Sequence, residues 1–197
     1  MEQILENTYF LNPEKWQTEA NRLGGLEICD DDTGDRMKTQ QTKDMEQALI
    51  RDALRKGKHP ALEVPYIHTI DIGRGTYWPE GQWEYIDAVI EQQGMFTCLE
   101  LKVSISDLHS QAAQSYVGHK NYMVCPIDMA FKIRKNKDPW LAKYPKVGII
   151  GWDGKDSFKI IKRCKIKYRI PNNDWITLAK GMILELSNYM KENLLKK

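Results

Sequence analysis

A glutamate and a lysine two residues apart inside an apolar run constrain this chain more than any other feature. In FTCLELKVSISDL, residues 96–108, strand alternation places Phe96, Cys98, Glu100 and Lys102 on one side and Thr97, Leu99, Leu101 and Val103 on the other. Burying a carboxylate and an ammonium costs several kcal/mol unless they are paired or hold a metal. The flanking leucines and valine predict a well-packed strand, so these two charges are either paired there or put to use.

Just upstream, WEYIDAVIEQQG predicts a second strand from Trp83 to about Glu91, closed by a Gly-containing turn before Met95. Paired as a hairpin, the two strands bring Asp87 to the side that carries Glu100 and Lys102. Two carboxylates can supply two or three oxygens to an octahedral Mg²⁺, with waters, a main-chain carbonyl and a substrate phosphate filling the rest. Lys102 would then sit beside the metal, facing developing charge on phosphorus or orienting the attacking water.

The pattern Asp87, Glu100, any residue, Lys102 resembles the active-site signature of the PD-(D/E)XK, or restriction-endonuclease-like, nuclease superfamily. The run ELKVSISDL followed by GHKNYMVCP, residues 118–126, is similar to the MmcB-like branch of DNA-repair proteins and to related phage nucleases. The likeness covers about 83–126 and extends more weakly back to a helix near Asp44. Residue 86 is Ile where the superfamily name has Pro, a departure that leaves the metal-binding logic intact. The resemblance implies an α/β fold with a restriction-endonuclease-like core: a helix, a three-strand meander, a helix and a strand. A C-terminal β ribbon and helix follow that core. It also implies a Mg²⁺ or Mn²⁺ ion held by Asp87, Glu100 and the Leu101 carbonyl, with Lys102 catalytic. By the same likeness, Glu46 on the first core helix approaches the metal site, and Gln111 or Gln114 on the next helix supports it. Glu46 is equally well explained as a carboxylate favoured by a helix N-terminus.

At 197 residues the chain suits one domain, divided here as an N-terminal extension (1–43), a nuclease-like core (44–126), a basic connector with a β hairpin (127–170) and a C-terminal helix (171–197). The net charge of +2 does not by itself announce nucleic acid. Cys29, Cys98, Cys125 and Cys164 are widely spaced with no C-x-x-C pair, which argues against a zinc ribbon or redox motif and for reduced thiols. The opening MEQILENTYFLNPEKW lacks a cationic start followed by an apolar run, and no stretch reaches membrane-spanning length. The expectation is a soluble, cytoplasmic protein, of a bacterial or phage-infected cell, with no membrane partner.

Along the chain, CDDDTGD, residues 29–35, has the outline of a calcium loop but lacks its twelfth-position Glu, where Gln41 stands, and reads as a solvated turn. A helix is predicted from Thr42 to Lys58, capped by Thr42 or Asp44, and a first core strand over 61–72 with Pro65 at an edge or bulge. His68 in that strand has no spaced partner and reads as structural. Arg74, Tyr77 and Trp78 in the next loop can touch a phosphate or stack on a base. A helix is predicted from about Asp107 to Val117, capped by Ser104 or Ser106, then a strand over 120–126. Residues 134–146 read as a cationic connector, 147–152 as a strand, 153–156 as a turn and 157–170 as the return strand. That return strand carries Lys159, Arg163, Lys165, Lys167 and Arg169 on one parity, a stripe able to follow a nucleic-acid backbone or simply to face water. The last helix, 174–195, bears an apolar face suited to packing, with a homodimer interface as the alternative.

These readings converge on a metal-dependent nuclease hydrolysing phosphodiesters in DNA, in repair, recombination or phage DNA metabolism. The alternative is a nucleic-acid-binding protein that keeps the nuclease fold without cutting. A third reading is an interaction protein in which Glu100 and Lys102 merely pair.

Overall fold

The computed structural model describes residues 38–194, apart from 68–69, 72–75, 78–82, 111 and 113. His68, Arg74, Trp78, Gln111 and the acidic 29–35 loop lie outside the described residues. In chain order the elements are α1 (Gln40–Arg55), β1 (His59–Ile67), β2 (Ile70–Asp71), β3 (Thr76–Tyr77), β4 (Trp83–Gln92), β5 (Met95–Leu101), α2 (Ile105–Leu108), β6 (Lys120–Pro126), α3 (Ile127–Lys135), α4 (Pro139–Lys143), β7 (Gly148–Trp152), β8 (Phe158–Lys162) and α5 (Asn172–Leu194). From Lys38 onward they belong to one unit.

Six strands form one mixed sheet in the order β1-β4-β5-β6-β7-β8, while β2 and β3 pair separately. β1, β4 and β5 are antiparallel, β6 joins β5 in parallel and β7 joins β6 in parallel, and β8 closes the far edge antiparallel. The fold is therefore α/β. The expected C-terminal ribbon is not an appendage, because β7 and β8 continue the sheet that begins with β1. The β4–β5 hairpin turns through Gln93 and Gly94, both at positive φ, which is the twist a two-residue connection requires.

Period-2 alternation distributes the core. Ala88, Leu99, Leu101, Val124 and Trp152 pack against Met45, Ala48 and Leu49 of α1 on one face. Met123, Cys125 and Ile149 meet Met129, Ala130 and Ile133 of α3 on the other, with Trp140 of α4. Phe96 and Cys98 pack with Leu178 of α5. Gly181 lets α5 approach β1 closely, since a Cβ there would lie 2.5 Å from the Pro65 carbonyl oxygen. Cys98 and Cys125 are buried free thiols.

Four sequence expectations change. α1 starts two residues early because Thr39, not Thr42 or Asp44, caps it, its Oγ1 accepting the Thr42 N–H at 3.2 Å. The helix expected over 107–117 is only Ile105–Leu108. Ser115 N–H goes to Glu100 Oε1 at 3.0 Å instead of to a helical carbonyl. Residues 127–143, expected to belong to a basic connector, contain two helices, the second capped by Asp138 with Pro139 at its first position.

The return strand expected over 157–170 stops at Lys162. Its register shifts between Ile149 and Ile150, which flips the parity of the residues beyond the shift. Past β8 the Lys165 N–H goes to the Lys146 carbonyl and the Lys167 N–H to the His119 carbonyl, each at 2.8 Å. Lys159, Arg163, Lys165, Lys167 and Arg169 thus do not share one strand face. All five are exposed, one on β8 and four along a segment that crosses the ends of β6 and β7.

Candidate active site

The site forms where two strands part. β4 pairs with β5 from Gln92↔Met95 to Ala88↔Leu99, then continues along β1 alone to Trp83. At that fork Asp87 Oδ2 accepts the Leu101 N–H at 2.7 Å, so a side chain closes a ladder that the backbone has left. An extended residue turns its N–H and C=O to the same neighbour, so the Leu101 carbonyl faces the same opening.

Glu100 sits beside it, 2 % exposed, on the sheet face that carries Cys98. Its Oε1 accepts Ser115 N–H, and Ser115 Oγ donates to Glu84 Oε2, which ties the β5–β6 crossover to both strands of the fork. Lys102, 5 % exposed, places Nζ 3.6 Å from Asp107 Oδ1. Asp107 is held in turn by the Val103 N–H at 3.2 Å, and its own N–H donates to Ser104 Oγ, the α2 cap. The Lys102 ammonium is thus paired with Asp107 and not directly with Glu100, as a simple Glu–Lys pair would require.

Electrostatics bind the three groups into one site. Burial pushes the Asp87 carboxyl up to about 6, against the Leu101 N–H and the Lys102 charge, which pull it down. Burial raises Glu100 further, to about 9, helped by the neighbouring Asp87 charge and opposed by Ser115 N–H and Lys102. A carboxyl out of water beside a second carboxylate favours its protonated form. A divalent cation removes that conflict. The donor set of two carboxylates and a turned carbonyl is all oxygen, as Mg²⁺ or Mn²⁺ prefers. The residues fit such an ion, although among the described residues no cluster of three acidic, His or Cys side chains has metal-binding geometry.

Glu46 is placed differently from Asp87 and Glu100. It is buried on α1, which covers the opposite sheet face from Glu100, and its Oε1 accepts from Lys38 Nζ at 2.5 Å. The same ammonium pairs with Glu63, which adopts a positive φ of 49°, and its charge is felt at Asp87. Lys38 therefore joins Glu46 of α1 to Glu63 of β1. Gln114 faces away from the carboxylates. It donates to the Leu108 carbonyl at 3.2 Å and accepts from Tyr116 Oη at 3.1 Å and Trp140 Nε1 at 2.9 Å, so it braces the crossover. A pocket of about 210 Å³ opens beside it, lined by Leu108, His109 and Trp140 and not by the carboxylates.

Sequence reasoning named Asp87, Glu100, Leu101 and Lys102, which lie at the fork, and did not name as site residues Lys38, Glu63, Glu84, Asp107 and Ser115, which contact or surround them. Asp107 carried a usable signal, since Ser-x-x-Asp opening a helix marks a cap, here the one that also positions Lys102. Lys38 and Ser115 carried none, because their roles depend on contacts across 8 and 15 positions of chain.

No family model and no curated protein matches the chain. Among solved structures it is similar to a protein of unknown function from Silicibacter pomeroyi, with a TM-score of 0.52 and 13 % identity over 77 % of this chain and 90 % of that one. The structure of SSO0001 is more distant, with a TM-score of 0.23 and 18 % identity over 70 % of this chain and 57 % of that one. The first likeness is one of fold alone.

Proposed function

We propose that this protein is a divalent-metal-dependent nuclease of restriction-endonuclease-like design, acting on DNA. The observation that carries the proposal is the fork itself, where Asp87, Glu100, the Leu101 carbonyl and Lys102 meet at the parting of β4 and β5. A bound Mg²⁺ or Mn²⁺ supplies Lewis-acid charge at the phosphate and a more acidic water. Asp87 and Glu100 would hold that cation, with both carboxyls ionised when it is bound. Ser115 and the Leu101 N–H orient the two carboxylates. Asp107 aims the Lys102 ammonium, whose buried charge offsets negative charge growing on the phosphate oxygens. Lys159, Arg163, Lys165, Lys167 and Arg169 supply exposed phosphate contacts outside the fork.

The test is purified protein on labelled single-stranded, duplex and branched DNA, with and without Mn²⁺. Cleavage is expected with the metal, and Glu100→Gln and Lys102→Met are each expected to lower it at least ~100-fold while DNA binding persists. Unaltered cleavage by Lys102→Met would falsify the assignment. Wild-type binding with no cleavage on any substrate points instead to the non-cutting nucleic-acid-binding reading.

A further inference from the structure

His119 uses its ring as an acceptor. Its Nδ1 takes the Phe96 N–H at 3.0 Å in a buried hydrogen bond, and the whole residue is 6 % exposed. A backbone N–H can only donate, so Nδ1 presents a lone pair and the ring proton sits on Nε2. The ring is therefore neutral in the folded chain, because an imidazolium carries N–H on both nitrogens.

This bond closes a corner of the sheet. The parallel register of β5 and β6 begins at Thr97↔Lys120, so Phe96 and His119 stand one position before the ladder starts. A side chain extends the pairing where the backbone pairing has not begun. The Phe96 ring stacks on His119 at 6.2 Å between centroids and meets Trp175 of α5 edge-on at 5.6 Å, while Trp175 Nε1 donates to the Gly94 carbonyl at 3.3 Å. The turn itself is held by other bonds. Gly118 N–H donates to Asn121 Oδ1 and Asn121 Nδ2 to the Gly118 carbonyl, both at 2.9 Å, and the His119 carbonyl accepts the Lys167 N–H at 2.8 Å.

Burial and the Lys167 charge both hold the imidazole below its ordinary value of 6.5. The surrounding elements bring other titratable groups, most of them committed elsewhere. Glu91 of β4, opposite Phe96, accepts the Gly94 N–H at 2.7 Å, and Asp174 of α5 accepts from Tyr66 Oη of β1 at 2.7 Å. β5 adds the buried Cys98 thiol and β6 adds Lys120.

We infer that His119 is an acid-sensitive latch on the start of β5: its neutral ring holds the Phe96 N–H, and a proton taken up at Nδ1 sets two donors face to face, so that this corner opens. The inference is independent of the nuclease reading, since neither His119 nor Phe96 belongs to the fork. The unfolded chain takes this proton more readily than the folded one, so stability from the latch is complete at neutral pH and is withdrawn as pH falls through the free value of 6.5.

Two measurements on the full chain test it. Ring-nitrogen NMR from pH 8 to pH 4.5 is expected to show His119 as the Nε2–H tautomer, protonated only below the range of a free histidine. His119→Asn keeps an acceptor, since Asn Oδ1 falls where Nδ1 stood, and removes the titration. Between pH 7.5 and pH 5 wild type is expected to lose several degrees more in Tm than this variant, and at pH 5 its Phe96 amide is expected to exchange at least ~10-fold faster. A ring that carries its proton on Nδ1 at neutral pH, or that titrates at 6.5, overturns the inference. So does a His119→Asn variant whose Tm falls in parallel with wild type. The ring-nitrogen spectra decide the matter even where the variant fails to fold.

Discussion

Glu100 is a carboxyl buried beside a second carboxyl. Its carboxyl titrates near 9 when folded and near 4.5 when free. The folded chain therefore binds a proton that the unfolded chain lacks between these values, and stability of the metal-free protein falls as pH rises through that window. Asp87 adds the same sign between its free value of 3.8 and about 6. Glu100→Gln keeps an acceptor for Ser115 and removes the charge, so at pH 8 without metal it is expected to stabilise the fold by roughly 1–3 kcal/mol, or several degrees in Tm. At pH 4.5 the advantage should vanish. Thermal melts of both proteins across pH decide it, and a Glu100→Gln melt below wild type at pH 8 contradicts a protonated Glu100. Metal binding carries the same linkage. Mn²⁺ titration by calorimetry in buffers of different ionisation heat is expected to show proton release near neutral pH, and its absence would mean that the carboxylates are already ionised.

Among the elements, α2 is the smallest and does a structural task for the site. Ser104 caps it, Asp107 is oriented by that turn, and Asp107 holds Lys102. Ser104→Ala is expected to cost about 1 kcal/mol of stability and to slow cleavage by loosening the ammonium, with metal affinity unchanged. Melting and kinetics on one preparation separate the two effects, and a variant with wild-type rates would remove α2 from the catalytic argument. The same element shows why propensity misled. Residues 109–117 have an acceptable helix composition, yet a buried carboxylate needed the Ser115 N–H, and satisfying Glu100 outweighed a few helical hydrogen bonds.

For the whole molecule, the basic residues beyond β8 act as a surface and not as a strand face. Reversing Arg163, Lys165 and Arg169 together to Glu is expected to weaken DNA binding and flatten its salt dependence, each lost phosphate contact removing about 0.9 from the log–log slope. Fluorescence anisotropy at a series of salt concentrations measures this, and an unchanged slope would place the nucleic acid elsewhere.

Much of the architecture was legible in local pattern. The alternation of β4 and β5, the Gln93–Gly94 turn, the helical period of α1 and α5 and the charged pair in β5 are set by covalent spacing and side-chain type, which the chain carries wherever it goes. Asp87, Glu100 and Lys102 were readable for that reason. The parting of β4 from β5, the insertion of Lys38 between Glu46 and Glu63, the capture of Ser115 by Glu100 and the bulge that scatters the basic stripe were decided only when the sheet closed. Each depends on groups far apart in the chain meeting out of water, where an unsatisfied charge or N–H costs more than any local preference can return.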